Sequence, residues 1–355
     1  MRKRKEECRS KHLLEIHAIV PIFSVLLWMP PGGVAAQSPT SPEEYETIAA
    51  TKSLRSIETE FSLSGGLRRD DLDWNVAGDT SGNNPNVLSE LTWDDLEIFQ
   101  LKLENRTVVP RRFYLRAFLA YGWISDGKNQ DSDFAADGRT FEFSRSNNSA
   151  DDGTVQDASI GAGYPFRFGG DVTSTVAPLV GYSSHDQNLT MTDGYQTISI
   201  PIETPTLLIE PPPVGPFPGL NSTYEAAWRG PWIGVDLHFQ ATEREAWTHR
   251  FEGYASLEYH WASFEAEADW NLRDDFAHPR SFAQDADGTG IVFGLRLGYA
   301  LNPDWQLNVS FDYQGFSAED GIDTIFLAEG TTVRTRLNEV NWRSSALSLG
   351  ITYRF

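Results

Sequence analysis

The chain has one cysteine in 355 residues, Cys8. That scarcity excludes a disulfide framework and a cysteine-based zinc site. Positive charge is also scarce: 29 Lys and Arg stand against 50 Asp and Glu, a formal net charge of −21. Nucleic-acid binding is therefore disfavoured, because phosphate needs a basic footprint, while cationic peptides would be attracted. After residue 36 no stretch approaches the ~18 consecutive apolar residues of a transmembrane helix. A Gly-rich phosphate loop and a Ser/His/Asp arrangement are missing as well. His185, His238, His249 and His260 lie on or near alternating segments without metal-ligand spacing. No metal and no cofactor is expected from that set.

What is present begins at the N-terminus. Arg2, Lys3, Arg4 and Lys5 precede an apolar run from Ala18 to Trp28, which closes on the small residues Val34-Ala35-Ala36. This order is the layout of a secretory signal peptide, so residues 1–36 are expected to be cleaved. Cys8 leaves with them. So do six basic and three acidic residues, and the remaining chain has 23 basic and 47 acidic residues, a net charge near −24. Residues 37–56 are expected to be a periplasmic segment ahead of the folded domain, 57–355.

Period 2 dominates that domain. Leu307, Val309, Phe311 and Tyr313 alternate with Asn308, Ser310, Asp312 and Gln314; Ile291, Phe293, Leu295 and Leu297 alternate with Val292, Gly294 and Arg296. Such strands separate an apolar face from a polar one. A soluble sandwich buries the apolar face and rarely uses strands much beyond ~5 to 6 residues. A membrane barrel turns that face to lipid and needs ~9 to 11 residues per crossing. The runs here are long, and their polar face carries Asp236, His238, Glu252, Glu258, His260 and Arg296. With the export signal this indicates an all-β, antiparallel, up-and-down transmembrane β-barrel whose lumen those six residues line.

Ten strands are expected, near 57–68, 88–104, 112–124, 154–166, 172–185, 222–240, 248–273, 289–301, 305–317 and 341–355. Short periplasmic turns alternate with long outer loops at 69–87, 125–153, 186–221, 274–288 and 318–340. Between Phe251 and Trp261 the apolar positions are odd, but Phe264, Ala266, Ala268 and Trp270 are even. A bulge near Ala262-Ser263 accommodates the change in one strand; a hairpin would give eleven strands, and single-chain barrels take even numbers. Ten is preferred, with twelve as the alternative. Seven prolines between Pro201 and Pro218 indicate a stiff, extended outer excursion.

The chain stops on "WRSSALSLGITYRF", in which Leu347, Leu349, Ile351, Tyr353 and Phe355 share the lipid-facing parity. A terminal Phe with Tyr353 two residues before it resembles the signature that outer-membrane barrels present to their assembly machinery. Outer-membrane lipid, lipopolysaccharide and that machinery are the expected partners, and the outer membrane the expected location.

The order "LSELTWDDLEIFQLKL", "FLAYGW" opening a loop with Asp131-Ser132-Asp133, "RGPWIGVDLHFQ", and a tryptophan strand entering an Asp/His loop resembles the omptins, ten-stranded outer-membrane surface proteases. The layout, over about residues 57–355, is also similar to omptin-related, porin-like barrels without assigned catalysis. The omptin resemblance implies two carboxylates on one rim of the mouth and an Asp-x-His pair on the other, with water between. Histidine would take a proton from that water while the opposite carboxylates orient it. On this chain the carried-over residues are Asp131 and Asp133, then His278 with Asp275 or Asp274; Phe276 stands where the pattern has Asp. With that position changed, the preferred expectation is a non-enzymatic barrel, porin-like or structural, and the alternative is an omptin-type endopeptidase.

Overall fold

The computed structural model describes residues 57–109, 111–169, 172–203, 208–241 and 251–355. The expected signal peptide, the 37–56 segment and His249 lie outside the described residues. The elements are β1 (Glu58–Val76), β2 (Ser89–Val109), β3 (Phe113–Ala136), β4 (Thr140–Ser149), β5 (Gly153–Gly163), β6 (Phe166–Gly169), β7 (Val172–Ser199), β8 (Ile202–Glu203), β9 (Leu208–Ile209), β10 (Gly215–Pro216), β11 (Asn221–Ala241), β12 (Phe251–Asp269), β13 (Phe282–Ala300), β14 (Trp305–Phe326) and β15 (Thr332–Arg354).

Pairing is antiparallel throughout, and β15 returns to pair with β1 from Glu60↔Arg354 to Val76↔Leu337. β4 and β5 occupy one position in the ring, each between β3 and β7. The result is a closed ring of ten strands. Closure pairs the backbone groups that an open edge would leave bare in lipid. The proline-rich excursion ties to the far end of β7, where Gly215 and Pro216 of β10 pair with Gln196 and Tyr195.

Two aromatic girdles mark the membrane on the outside of the wall. Phe113, Phe239, Phe251, Trp305 and Phe355 are exposed at one level, and Phe99, Trp123, Tyr182, Tyr259 and Trp261 at the other. Between them lie exposed aliphatics such as Leu63, Leu101, Val180, Leu257, Leu297 and Leu349. On β12 the interval from Phe251 to Trp261 matches the ~9 to 11 residues of one tilted crossing.

Every long strand continues well past the second girdle: β12 has 19 residues, β3 has 24 and β7 has 28. Here the structure corrects two expectations. The bulge near Ala262-Ser263 does not exist, because β12 pairs with β11 and β13 in unbroken register from Glu252 to Ala268. Even-numbered residues face inward along the whole strand. What inverts is the chemistry of the two faces. Below, the inside is polar (Glu252, Ser256, Glu258, His260) and the outside apolar (Leu257, Tyr259, Trp261); above, the inside is Ala262, Phe264, Ala266 and Ala268, and the outside is Ser263, Glu265 and Glu267. Lipid demands an apolar outer face, whereas water above the membrane demands a polar one and sends the apolar residues inward. For the same reason the stretches expected as long outer loops at 125–153, 186–221 and 318–340 are mostly strand, and strand also takes up part of 69–87 and 274–288, the rest of which is loop as expected.

Candidate functional site

Within the membrane-spanning half, inward-facing ionisable residues form stacked layers. Nearest the periplasmic end, Arg354 bridges Glu60, at 3.0 Å, and Glu252, and Arg106 holds Glu60 at 2.5 Å beside His238. Above them Arg116 contacts Asp236 at 2.8 Å, Glu258, and the Tyr254 hydroxyl at 2.8 Å; the Tyr114 hydroxyl donates to Asp236 at 2.8 Å. Arg296 pairs with Glu104 at 2.5 Å, and Lys102 with Asp312 at 3.0 Å. Higher still, Arg68 joins Asp70 at 2.7 Å to Asp157 at 2.5 Å, and His185 lies 2.8 Å from Asp157. His260 lies 3.0 Å from Glu258 and 3.1 Å from Ser183.

An aromatic deck covers these layers. Trp228 packs on Phe264 at 4.7 Å and on Phe316 at 5.5 Å, and Phe316 stacks on Trp342 at 5.3 Å. Trp232, 1 % exposed, lies along the inner wall over the neighbouring strands β7 and β5, beside the Arg116 guanidinium. Gly161 and Gly181 make its seat: a Cβ on either would lie 2.3 Å from the Trp232 ring. Between the charged layers remains a cavity of about 40 Å³, and below them a periplasmic vestibule of about 430 Å³ ends at Arg106, His238 and Arg354. The smaller space has room for only a few waters.

All six residues expected to line the lumen are inside this network: Asp236, His238, Glu252, Glu258, His260 and Arg296. Their partners Glu104, Arg106 and Arg116, and the further charged residues Glu60, Arg68, Asp70 and Asp157, were not singled out from the sequence. The available signal was parity, since each occupies a polar position on the inward face of an alternating strand.

The outer mouth holds the other candidates. Asp131 and Asp133 pair in register with Leu91 and Ser89, and Leu91 is an inward, fully buried residue, so both carboxyls face into the mouth. Burial raises both above the ordinary carboxyl range, Asp131 well above it because Asp133 adds repulsion; hydrogen bonds from Ser89 and Ser144 relieve Asp133 in part. The cation acting on both is Arg273, from the loop after β12. Arg273 also grips Asp275 through two hydrogen bonds of 2.9 and 2.8 Å, which lowers the Asp275 carboxyl, and stacks 4.2 Å from the Phe276 ring.

His278 is placed differently. Its Nδ1 lies 2.6 Å from Asp269, and that contact raises it above the ordinary imidazole range. Asp269 has the outward parity of Glu265 and Glu267, opposite to the buried Ala268. The structure thus brings Asp131 to Asp133 and sets Arg273 against them. It does not bring His278 to that pair, and it gives His278 to Asp269 and Asp275 to Arg273. A partner nine residues upstream, set by a folded-back loop, leaves no short motif to read.

At the chain end Tyr353 packs on Trp305 at 4.7 Å and on Phe355 at 4.7 Å, while Phe355, 70 % exposed, meets Phe61 at 5.9 Å. Both belong to the periplasmic girdle.

Among solved structures the chain is similar to the outer membrane protease OmpT from Escherichia coli at 13 % identity, covering 84 % of this chain and 96 % of that one, with a TM-score of 0.63. At that identity the likeness establishes a shared fold. The outer membrane protein OprG from Pseudomonas aeruginosa matches at 12 % identity over 85 % of this chain and 98 % of that one, with a TM-score of 0.34. No curated protein matches the chain. The sequence model of the Protochlamydia outer membrane protein family, Pom, matches residues 62–355, nearly the whole barrel, and the chain is an outer-membrane β-barrel that belongs to this family.

Proposed function

We propose that this protein is a non-enzymatic surface barrel whose lumen is closed, so that its work is done by the tall extramembrane wall and the mouth. One observation carries the reading: paired charges from facing strands and an aromatic deck fill the lumen, and the space among those charges is about 40 Å³. A ten-strand barrel is little wider than the eight-strand barrels that side chains already fill. The ions of the charged layers are paired, so moving one aside to admit a solute would strand its partner at a cost of several kcal/mol. The surrounding partners are outer-membrane lipid and lipopolysaccharide, and the assembly machinery that reads Tyr353 and Phe355. The test is conductance of the refolded barrel in planar bilayers. No stable single-channel step is expected; a sustained open-pore current would overturn the reading in favour of a porin.

A second reading, an omptin-type endopeptidase, is favoured by the inward Asp131 and Asp133 with their raised carboxyls. Against it, His278 is engaged by Asp269 on the outward parity of β12. An acidic mouth would concentrate cationic peptides whether or not it cleaves them. Cleavage of a dibasic peptide in the presence of lipopolysaccharide, lost in both Asp131→Asn and His278→Ala, would establish the peptidase; no cleavage by the wild type supports the surface barrel.

A further inference from the structure

Above the aromatic deck the same apolar cluster continues toward the mouth as a packed aromatic chamber. Trp93 stacks on Tyr224 at 4.9 Å, Trp74 meets Phe282 at 5.6 Å, and Phe282 meets Trp270 at 4.6 Å. Into the wall of this chamber β14 places one carboxyl, Asp323, which is 3 % exposed. Its register partners are Gln284 on β13 and Thr335 on β15. The Gln284 side chain in turn accepts the Tyr224 hydroxyl at 2.7 Å, and Thr335 Oγ1 lies 3.5 Å from Asp323. Asp323 Oδ1 has no hydrogen-bond partner among the described residues. The charged residues nearest in register, Asp285, Arg334 and Arg336, have the outward parity, and Arg336 is held by Asp320 outside the wall. From β1, β2 and β11 the chamber receives Trp74, Trp93 and Tyr224, none charged. Asp131, Asp133 and Arg273 at the mouth act on one another.

A carboxyl in such a place is comfortable as the neutral acid and strained as the anion, since desolvation has no facing cation to offset it. We propose that Asp323 is a pH-responsive latch for the outer tips of β13, β14 and β15: neutral, it lets the tips close over the aromatic chamber, and ionised, it loosens them. Burial, only partly relieved by Gln284 and Thr335, pushes its pKa up to about 7. The folded tips therefore hold a proton that the opened tips release. Where the folded state binds more protons, raising the pH favours opening. The opening equilibrium should shift progressively between the ordinary carboxyl range and about pH 7, by up to about a thousandfold, and stay shifted above it. A surface barrel with this device would present a closed mouth in acid and a loosened, tryptophan-lined one at mildly alkaline pH.

Amide hydrogen exchange of the refolded full chain in micelles tests this. Exchange of residues 318–337 is compared with that of 305–316 in the same molecule, which cancels the intrinsic effect of pH on exchange. The ratio should rise at least tenfold between about pH 5 and about pH 9 in the wild type and remain flat in Asp323→Asn. A flat ratio in the wild type would overturn the proposal even without the variant. A rise that persists unchanged in Asp323→Asn would overturn it too, by assigning the effect to another group.

Discussion

Replacing Arg116 by methionine tests whether the charged layers hold the barrel together. The guanidinium serves Asp236 at 2.8 Å, Glu258 and the Tyr254 hydroxyl, and lies 5.2 Å from the centre of the Trp232 ring. Methionine keeps most of the volume and removes the charge. Asp236 retains the Tyr114 hydroxyl and Glu258 retains His260, but both carboxylates lose their cation. Breaking a buried ion pair by deleting one partner costs about 3–5 kcal/mol. Loss of the cation–π contact adds about 0.5–1 kcal/mol. The expected destabilisation is therefore about 3.5–6 kcal/mol, read as a lower urea midpoint for conversion of the folded to the unfolded gel band in lipid vesicles. Adding Asp236→Asn and Glu258→Gln removes the stranded charges and should recover more than half of that loss, because a neutral hydrogen-bonded replacement of a buried ion cluster is often nearly neutral in stability. A single variant that loses less than about 1 kcal/mol, or a triple variant no better than the single one, would refute the reasoning.

Three further outcomes are expected. Gly181→Val should crowd the Trp232 ring, which lies 2.3 Å from the position of a Cβ there, and destabilise the barrel by about 1–3 kcal/mol in the same urea assay. Phe355→Ser should lower the amount of barrel in outer-membrane fractions and raise the unassembled periplasmic form, because Phe355 is exposed and packs with Phe61 and Tyr353 in the girdle; unchanged fractions would show that the Tyr353-x-Phe355 pattern is incidental. His278 should titrate above the ordinary imidazole range by NMR, since Asp269 stabilises its charged form. Its ion pair with Asp269 is then present below that midpoint and lost as pH rises through it; Asp269→Asn should return the midpoint to the ordinary range, whereas Asp275→Asn should move it little.

Long period-2 alternation with an ionisable polar face was enough to indicate a membrane barrel, because lipid imposes an apolar outer face over a fixed length of each strand; the count of ten followed from keeping 248–273 as one strand, which the register of β12 bears out without the bulge. The inward set Asp236, His238, Glu252, Glu258, His260 and Arg296 followed from the same parity. The full height of the wall did not follow. Past Trp261 the apolar face of β12 moves inside as water replaces lipid, and hydrophobicity alone reads that inversion as a bulge or a loop. Nor could the pairing of charges be read. Arg116 meets Asp236 and Glu258 only because β3, β11 and β12 curve around one lumen, and Arg68 meets Asp157 across 89 residues of chain. At the mouth, short spacing pointed from His278 to Asp275, but the fold-back after β12 puts Asp269 beside the imidazole and leaves Asp275 to Arg273. Local alternation sets which face a side chain takes; which charge it then meets is decided by ring closure and loop path, which bring distant positions into contact.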